Sequence, residues 1–251
     1  MPRQARKRAE SGIYHVMLRG IDQQLIFEDQ QDYSFFLQIL QECRVVCGFK
    51  LYAYCLMGNH VHLLIKEQNE GLETIFKRIG GRYVYWYNVK YQRVGHLFQD
   101  RFKSEPVEDD AYFLTVLRYI HQNPVKARLC SKPGEYLYSS YAEYLTDGET
   151  VDTEYCLGML PKDEFVHFNE APNDDKCMDL TSVSRRAVTD DQARGIIAKH
   201  SRCHTIAEFQ RMEEIKKIRS IKMSHEKGVS IRQLSRLTGI SKGLVEKWIR
   251  G

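Results

Sequence analysis

Residues 50–66 read KLYAYCLMGNHVHLLIK, and this stretch decides the fold. Lys50 to Met57 and Val61 to Lys66 are dominated by apolar, aromatic and β-branched residues, the composition of strands. Gly58 and Asn59 between them are turn residues, so the stretch predicts an antiparallel hairpin. Side chains on a strand alternate between faces. His60 and His62 therefore share one face, and Val61 and Leu63 lie on the other.

The neighbouring segments extend this pattern. Ile13 to Arg19, IYHVMLR, reads as a strand between Gly12 and Gly20. Asp32 to Val46 has helical periodicity, with Phe35, Phe36, Ile39 and Leu40 apolar and Asp32 as its N-cap. Leu72 to Tyr91 reads as a long helix and Ser104 to Val107 as a short strand. Asp109 to Leu129 reads as a second long helix, opened by acidic residues at its positive dipole end. The order β-α-β-β-α-β-α predicts an α+β domain over residues 1–145, with a ferredoxin-like antiparallel sheet and helices on one face.

Charge divides the rest of the chain. Residues 146–180 hold 10 acidic and 2 basic residues, with Pro161 and Pro172, and residues 146–185 read as an acidic linker or extension. Residues 200–251 hold 12 basic and 5 acidic residues, and 186–251 read as a helical domain with a polyanionic partner.

Composition excludes several classes. With 43% hydrophobic residues in 251, a core can form, but no apolar run approaches the ~18 residues of a membrane span. The basic N-terminus has no apolar stretch behind it and does not read as a secretory signal. Seven cysteines without a C-x-x-C pair argue against a disulfide framework or zinc knuckle and suit a reducing cytoplasm. The sequence contains no G-x-x-x-x-G-K-[ST] phosphate loop.

Two constellations carry chemistry. His60 and His62 could ligate one cation from a rigid strand, although His-x-His also occurs as packed or surface histidines. In LRYIHQNPVKARL, Tyr119 and Asn123 stand four apart on one helical face, while His121 points nearly the opposite way. Pro124 should kink or end the helix. Asn123 offers a carbonyl oxygen as a third ligand and Tyr119 a phenol one turn away. A phenol titrating near ~10 is a poor nucleophile unless it is held in line with a phosphate that a cation polarises. The same spacing also suits an ordinary tyrosine followed by a polar helix end.

At these motifs the chain resembles the single-tyrosine HUH transposases, particularly the REP-associated tyrosine transposases and their insertion-sequence relatives. The resemblance rests on IYHVMLRGIDQQLIF, YAYCLMGNHVHLLIKE, GHLFQDRFKSEPVE, YFLTVLRYIHQNPVKARL and YSSYAEY, in family order across residues 1–145. It implies a metal-dependent enzyme that nicks and joins single-stranded DNA, often beside an imperfect hairpin. His60, His62 and Asn123 would hold Mg or Mn, and Tyr119 would form a 5′-phosphotyrosine. Gly58 stands where many relatives have Pro. The family's bacterial, nucleoid-associated setting follows, and its members act as monomers or homodimers. The alternative is a DNA-binding regulator derived from a transposase that no longer cuts.

Other residues point to DNA. Arg3, Arg6, Lys7 and Arg8 form a basic arm. Gln99, Arg101 and Lys103 could contact phosphate, and Arg82 accompanies Tyr83, Tyr87 and Tyr91, a stripe that reads first as core-facing. The end, VSIRQLSRLTGISKGLVEKWIRG, fits a helix-turn-helix with Gly239 in the turn. Leu244, Val245 and Trp248 would face inward, and Lys242, Lys247 and Arg250 would face DNA.

Overall fold

The computed structural model describes residues 6–146, 148–178, 188, 190–203 and 205–250, with 191 and 250 described by backbone alone. Arg3 and the Arg250 side chain lie outside the described residues. The chain divides into two compact units, Met1–Asp179 and Leu180–Gly251.

In the first unit, strands β1 (Ile13–Arg19), β2 (Lys50–Met57), β3 (His60–Lys66) and β4 (Lys103–Pro106) form one antiparallel sheet in the order β2-β3-β1-β4. The hairpin turns through Gly58 and Asn59 as the sequence predicts, and β4 lies one residue earlier than predicted. Helix α1 (Gln30–Cys47) starts earlier than its periodicity indicates, because Asp29 is the cap: its carboxylate accepts from the backbone N–H groups of Gln31 and Asp32. Asp32 is instead the third helical residue. It is fully buried, accepts back from the Asp29 N–H at 3.1 Å and pairs with Lys90 at 2.8 Å. Gly48 ends the helix in the left-handed region, at φ 63°.

Helix α2 (Leu72–Lys90) packs on α1. Phe35 stacks on Trp86 at 4.3 Å between ring centres, and Phe36 meets Tyr83 at 5.1 Å. Tyr83 and Tyr87 are buried, so their stripe serves the core. Helix α3 (Asp110–Lys126) is capped by Asp109 and runs through Pro124 to Lys126. Proline this close to the end removes one donor, while the carbonyls of Asn123 and Pro124 still accept from Ala127 and Leu129. Both faces of the sheet are buried: Tyr14, Val16 and Leu18 on one side of β1, His15 and Met17 on the other.

Charge alone marked the acidic stretch as a linker or extension, but apolar residues inside it give part of it a packed form. Val151, Cys156 and Phe165 are buried, in a segment that includes helices α4 (Glu154–Met159) and α5 (Lys162–Glu170). Phe165 stacks on Tyr144 at 4.5 Å, and Arg118 holds Asp175 through two hydrogen bonds of 2.7 and 2.9 Å.

His121 joins these pieces. It is fully buried, with Nε2 2.9 Å from Ser140 Oγ and Nδ1 3.1 Å from Asn169 Oδ1. Burial pushes its pKa down to about 4. Between pH 6.5 and 4 the unfolded chain takes up a proton that the folded chain refuses, so stability falls as pH falls through this window. In denaturant titrations at pH 7 and pH 4, wild type should lose about 3 kcal/mol more than His121→Gln, which has no proton to take up. Equal losses would show that His121 does not set the acid sensitivity.

The second unit is helical: α6 (Asp190–Ser201), α7 (Ile206–Arg211), α8 (Glu214–Glu226), α9 (Ile231–Thr238) and α10 (Lys242–Arg250). Phe209, Ile221, Leu234, Val245 and Trp248 are buried in its core. Ser230 and Gln233 form a capping box at the start of α9. Gly239 joins α9 to α10 at φ 70°, where an added Cβ would meet Gln210 Nε2 at 2.5 Å. Leu244, expected to face inward, is 37% exposed, and Val245 and Trp248 close that side of the core. Among the described residues no helix is long and apolar enough to cross a membrane, and the seven cysteines are free.

Candidate active site

The β1/β3 register places Met17 opposite His62 and Arg19 opposite His60. Cross-strand partners and alternate residues share a face, so His15, Arg19, His60 and His62 lie on the same side of the sheet. Helix α3 lies against that side. The Tyr119 ring stands edge-on to His62 at 5.8 Å and to His15 at 5.9 Å.

The three expected ligands come together. His60 Nε2 is 3.4 Å from Asn123 Oδ1, bringing the strand and the helix to one point. The His60 and His62 rings are nearly perpendicular, with centres 5.0 Å apart. His60 and Asn123 are half-buried, whereas His62 is fully buried. The i, i+4 spacing of α3 then sets Tyr119 one turn before Asn123.

The donor set suits a divalent cation: two imidazole nitrogens and one amide oxygen can complete a mixed site with substrate oxygens. Two observations favour this fit. His62 Nε2 is buried and has no hydrogen-bond partner, although such a group normally finds one. His62 is also held neutral, its pKa well below 6.5, through burial and the neighbouring His15 and His60. A neutral imidazole is the form that ligates. Among the described residues no group of three or more His, Cys, Asp or Glu side chains is arranged to hold a metal ion.

Sequence reasoning missed three residues around this centre. His15 Nε2 lies 2.9 Å from His62 Nδ1, and His15 Nδ1 lies 3.7 Å from Glu105 Oε2 on β4. His15 beside it holds the Glu105 carboxyl below the ordinary carboxylate range. Lys126 Nζ stands 4.9 Å from the centre of the Tyr119 ring. The partner of His15 depends on strand register, which the sequence did not show, whereas Lys126 could have been found by its seven-residue spacing from Tyr119.

The expected DNA contacts divide. Arg6, Arg101 and Lys103 line one cleft, together with Lys7 and Arg8. Within it Arg6 lies over the Phe102 ring at 3.9 Å and pairs with Glu73 at 2.8 Å, and Arg101 reaches Glu73 at 3.5 Å. Gln99 is exposed, with its backbone N–H bonded to Arg19 O. Arg82 is tied to Glu42 of α1 and takes no place among these cleft residues. In the second unit Lys242 and Lys247 are exposed on α10, Lys242 beside Glu246 at 3.6 Å.

A family model described as "Transposase IS200 like" matches residues 9–123, which include β1, the histidine hairpin and α3 as far as Asn123. Over these residues the chain is similar to the IS200-like transposase family. The chain also shares its fold with a solved structure, described as a REP-associated tyrosine transposase bound to a REP hairpin. That likeness has a TM-score of 0.50 and 14% identity, and covers 73% of this chain and 96% of the other. A putative transposase from Deinococcus radiodurans is more distant, with a TM-score of 0.34 and 17% identity, covering 48% of this chain and 97% of that one. No curated protein matches the chain.

Proposed function

We propose that the IS200-like unit cleaves and rejoins single-stranded DNA through Tyr119, with a divalent cation held by His60, His62 and Asn123. The observation that carries this reading is the meeting of His60 Nε2 and Asn123 Oδ1 at 3.4 Å beside the Tyr119 ring. When bound, Mg or Mn would neutralise charge on the phosphate under attack.

The chain's own residues supply the rest. Tyr119 is only 5% exposed, so its phenol is held between α3 and the sheet, which limits the orientations available to it. Attack of its oxygen forms the Tyr119–phosphate bond and breaks the bond from phosphorus to the 3′ oxygen. The phenol loses its proton and the departing strand gains one, leaving a free 3′-OH. The phosphodiester is exchanged and not hydrolysed, so a later 3′-OH can reverse the step without a nucleotide cofactor. Lys126 and Arg19 place positive charge around the site. Tyr119 stands beside His62 of its own chain, an arrangement that a monomer could use.

Arg6, Arg101 and Lys103 would grip the backbone of the strand, a sequence-independent interaction. The second unit fits a helix-turn-helix through α9, Gly239 and α10, with Lys242 and Lys247 toward DNA. It also keeps open the reading of a transposase-derived regulator. A bacterial, cytoplasmic setting accords with the free cysteines.

The test incubates purified protein with a labelled hairpin-flanked single strand. With Mn or Mg a covalent protein–DNA adduct and a 3′-OH fragment should appear, and EDTA should suppress both. Specific duplex binding without cleavage under any metal would select the regulator instead.

A further inference from the structure

We infer that Glu105 and His15 form a relay that fixes the tautomer of His62 and thereby presents its Nε2 as a ready ligand. The inference rests on the proposed metal site but concerns positioning residues one step behind it.

A neutral imidazole carries one proton on one of two nitrogens, and the hydrogen bond at one nitrogen decides which. His62 can ligate through Nε2 only if its proton sits on Nδ1. The atom facing Nδ1 is His15 Nε2, at 2.9 Å. That atom must then be bare, so His15 must carry its proton on Nδ1. His15 Nδ1 faces Glu105 Oε2 at 3.7 Å. The carboxylate is a negative charge that can accept but not donate, and at this separation it favours a proton on the near nitrogen. It accepts from the Met178 N–H at 2.9 Å, which helps hold it in place. This proton arrangement turns a hydrogen toward an acceptor at each of the two contacts, and it leaves His62 Nε2 as a bare ligand.

The strands build this arrangement. His15 and Glu105 are directly paired in the β1/β4 register, and β1 pairs with β3 on its other side. His15 is fully buried, the ring centres of His15 and His62 are 5.1 Å apart, and the planes differ by 27°, so neither ring has room to turn freely. Backing of a metal-bound histidine by a second partner is a general device for orientation, and its loss typically weakens metal binding about 10- to 100-fold.

Two variants test the relay. Glu105→Gln keeps the size of the side chain but can donate as well as accept, which removes the bias along the chain. His15→Leu removes the link itself. Long-range proton–nitrogen NMR on 15N-histidine-labelled, metal-free protein reads the His62 tautomer directly, and Mn2+ calorimetry reads affinity. Wild type should show His62 protonated on Nδ1 alone. Glu105→Gln should show both tautomers, with Mn2+ affinity reduced about 10-fold or more. If His15→Leu does not fold, Glu105→Gln still decides. A wild-type His62 protonated on Nε2, or an unchanged tautomer in Glu105→Gln, overturns the relay. Wild type that holds the Nδ1–H tautomer yet takes up no Mn2+ supports the relay and contradicts the metal-dependent function, so the two readings fail separately.

Discussion

Tyr119→Phe should abolish the covalent protein–DNA adduct, lowering its rate by on the order of 10³-fold or more. The substitution removes one oxygen from a ring that stands against His15 and His62, and leaves the packing of that ring in place. The variant should keep wild-type Mn2+ affinity and binding of single-stranded DNA. A quenched gel assay with end-labelled hairpin DNA measures the rate, and an adduct of undiminished yield would remove Tyr119 from the nucleophile's role. The other tyrosines of the helical stripe are poor substitutes. Tyr83 OH donates to Ile26 O in the core and Tyr87 OH donates to Leu25 O at its edge, and burial raises both phenols well above their ordinary range.

The second large effect concerns His62. His62→Gln should weaken Mn2+ binding by more than about 100-fold, beyond the loss typical of an outer partner, because a ligand and not its support is removed. Adduct formation should fall with it. The nearly isosteric side chain limits the cavity that would otherwise open at a fully buried position. Calorimetric titration of the two variants makes the contrast: His62→Gln should lose metal and Tyr119→Phe should retain it. Wild-type affinity in His62→Gln would place the cation elsewhere.

The parts of this site that were legible in the sequence obey short periods. The two-residue spacing of a strand put His60 and His62 on one face, and the four-residue spacing of a helix put Tyr119 with Asn123 while turning His121 away. His121 does lie elsewhere, between Ser140 and Asn169. The hairpin turn at Gly58 and Asn59 was local as well. What stayed hidden depends on partners far apart in the chain. His15 and His62 are 47 residues apart, and only the register of β1 on β3 reveals that they touch. Asp32 resembled a cap because it precedes the apolar run, but the competition among Asp29, Asp32 and Lys90 is settled by α2. The packing within the acidic stretch stayed hidden because charge count says nothing about three buried apolar residues, Val151, Cys156 and Phe165. The pairing of Arg82 with Glu42 stayed hidden because Glu42 lies on another helix.

The family match extends from residue 9 to residue 123 and so ends on Asn123, the residue that meets His60. The account depends on that meeting being the place where DNA is cut. The most direct measurement is mass spectrometry of the adduct after nuclease and protease digestion, using wild-type protein, Mn2+ and a hairpin-flanked single strand. The account predicts a nucleotide joined through its 5′ phosphate to Tyr119 and to no other residue. A phosphate on a different side chain, or cleaved DNA with no nucleotide left on the protein, would contradict it.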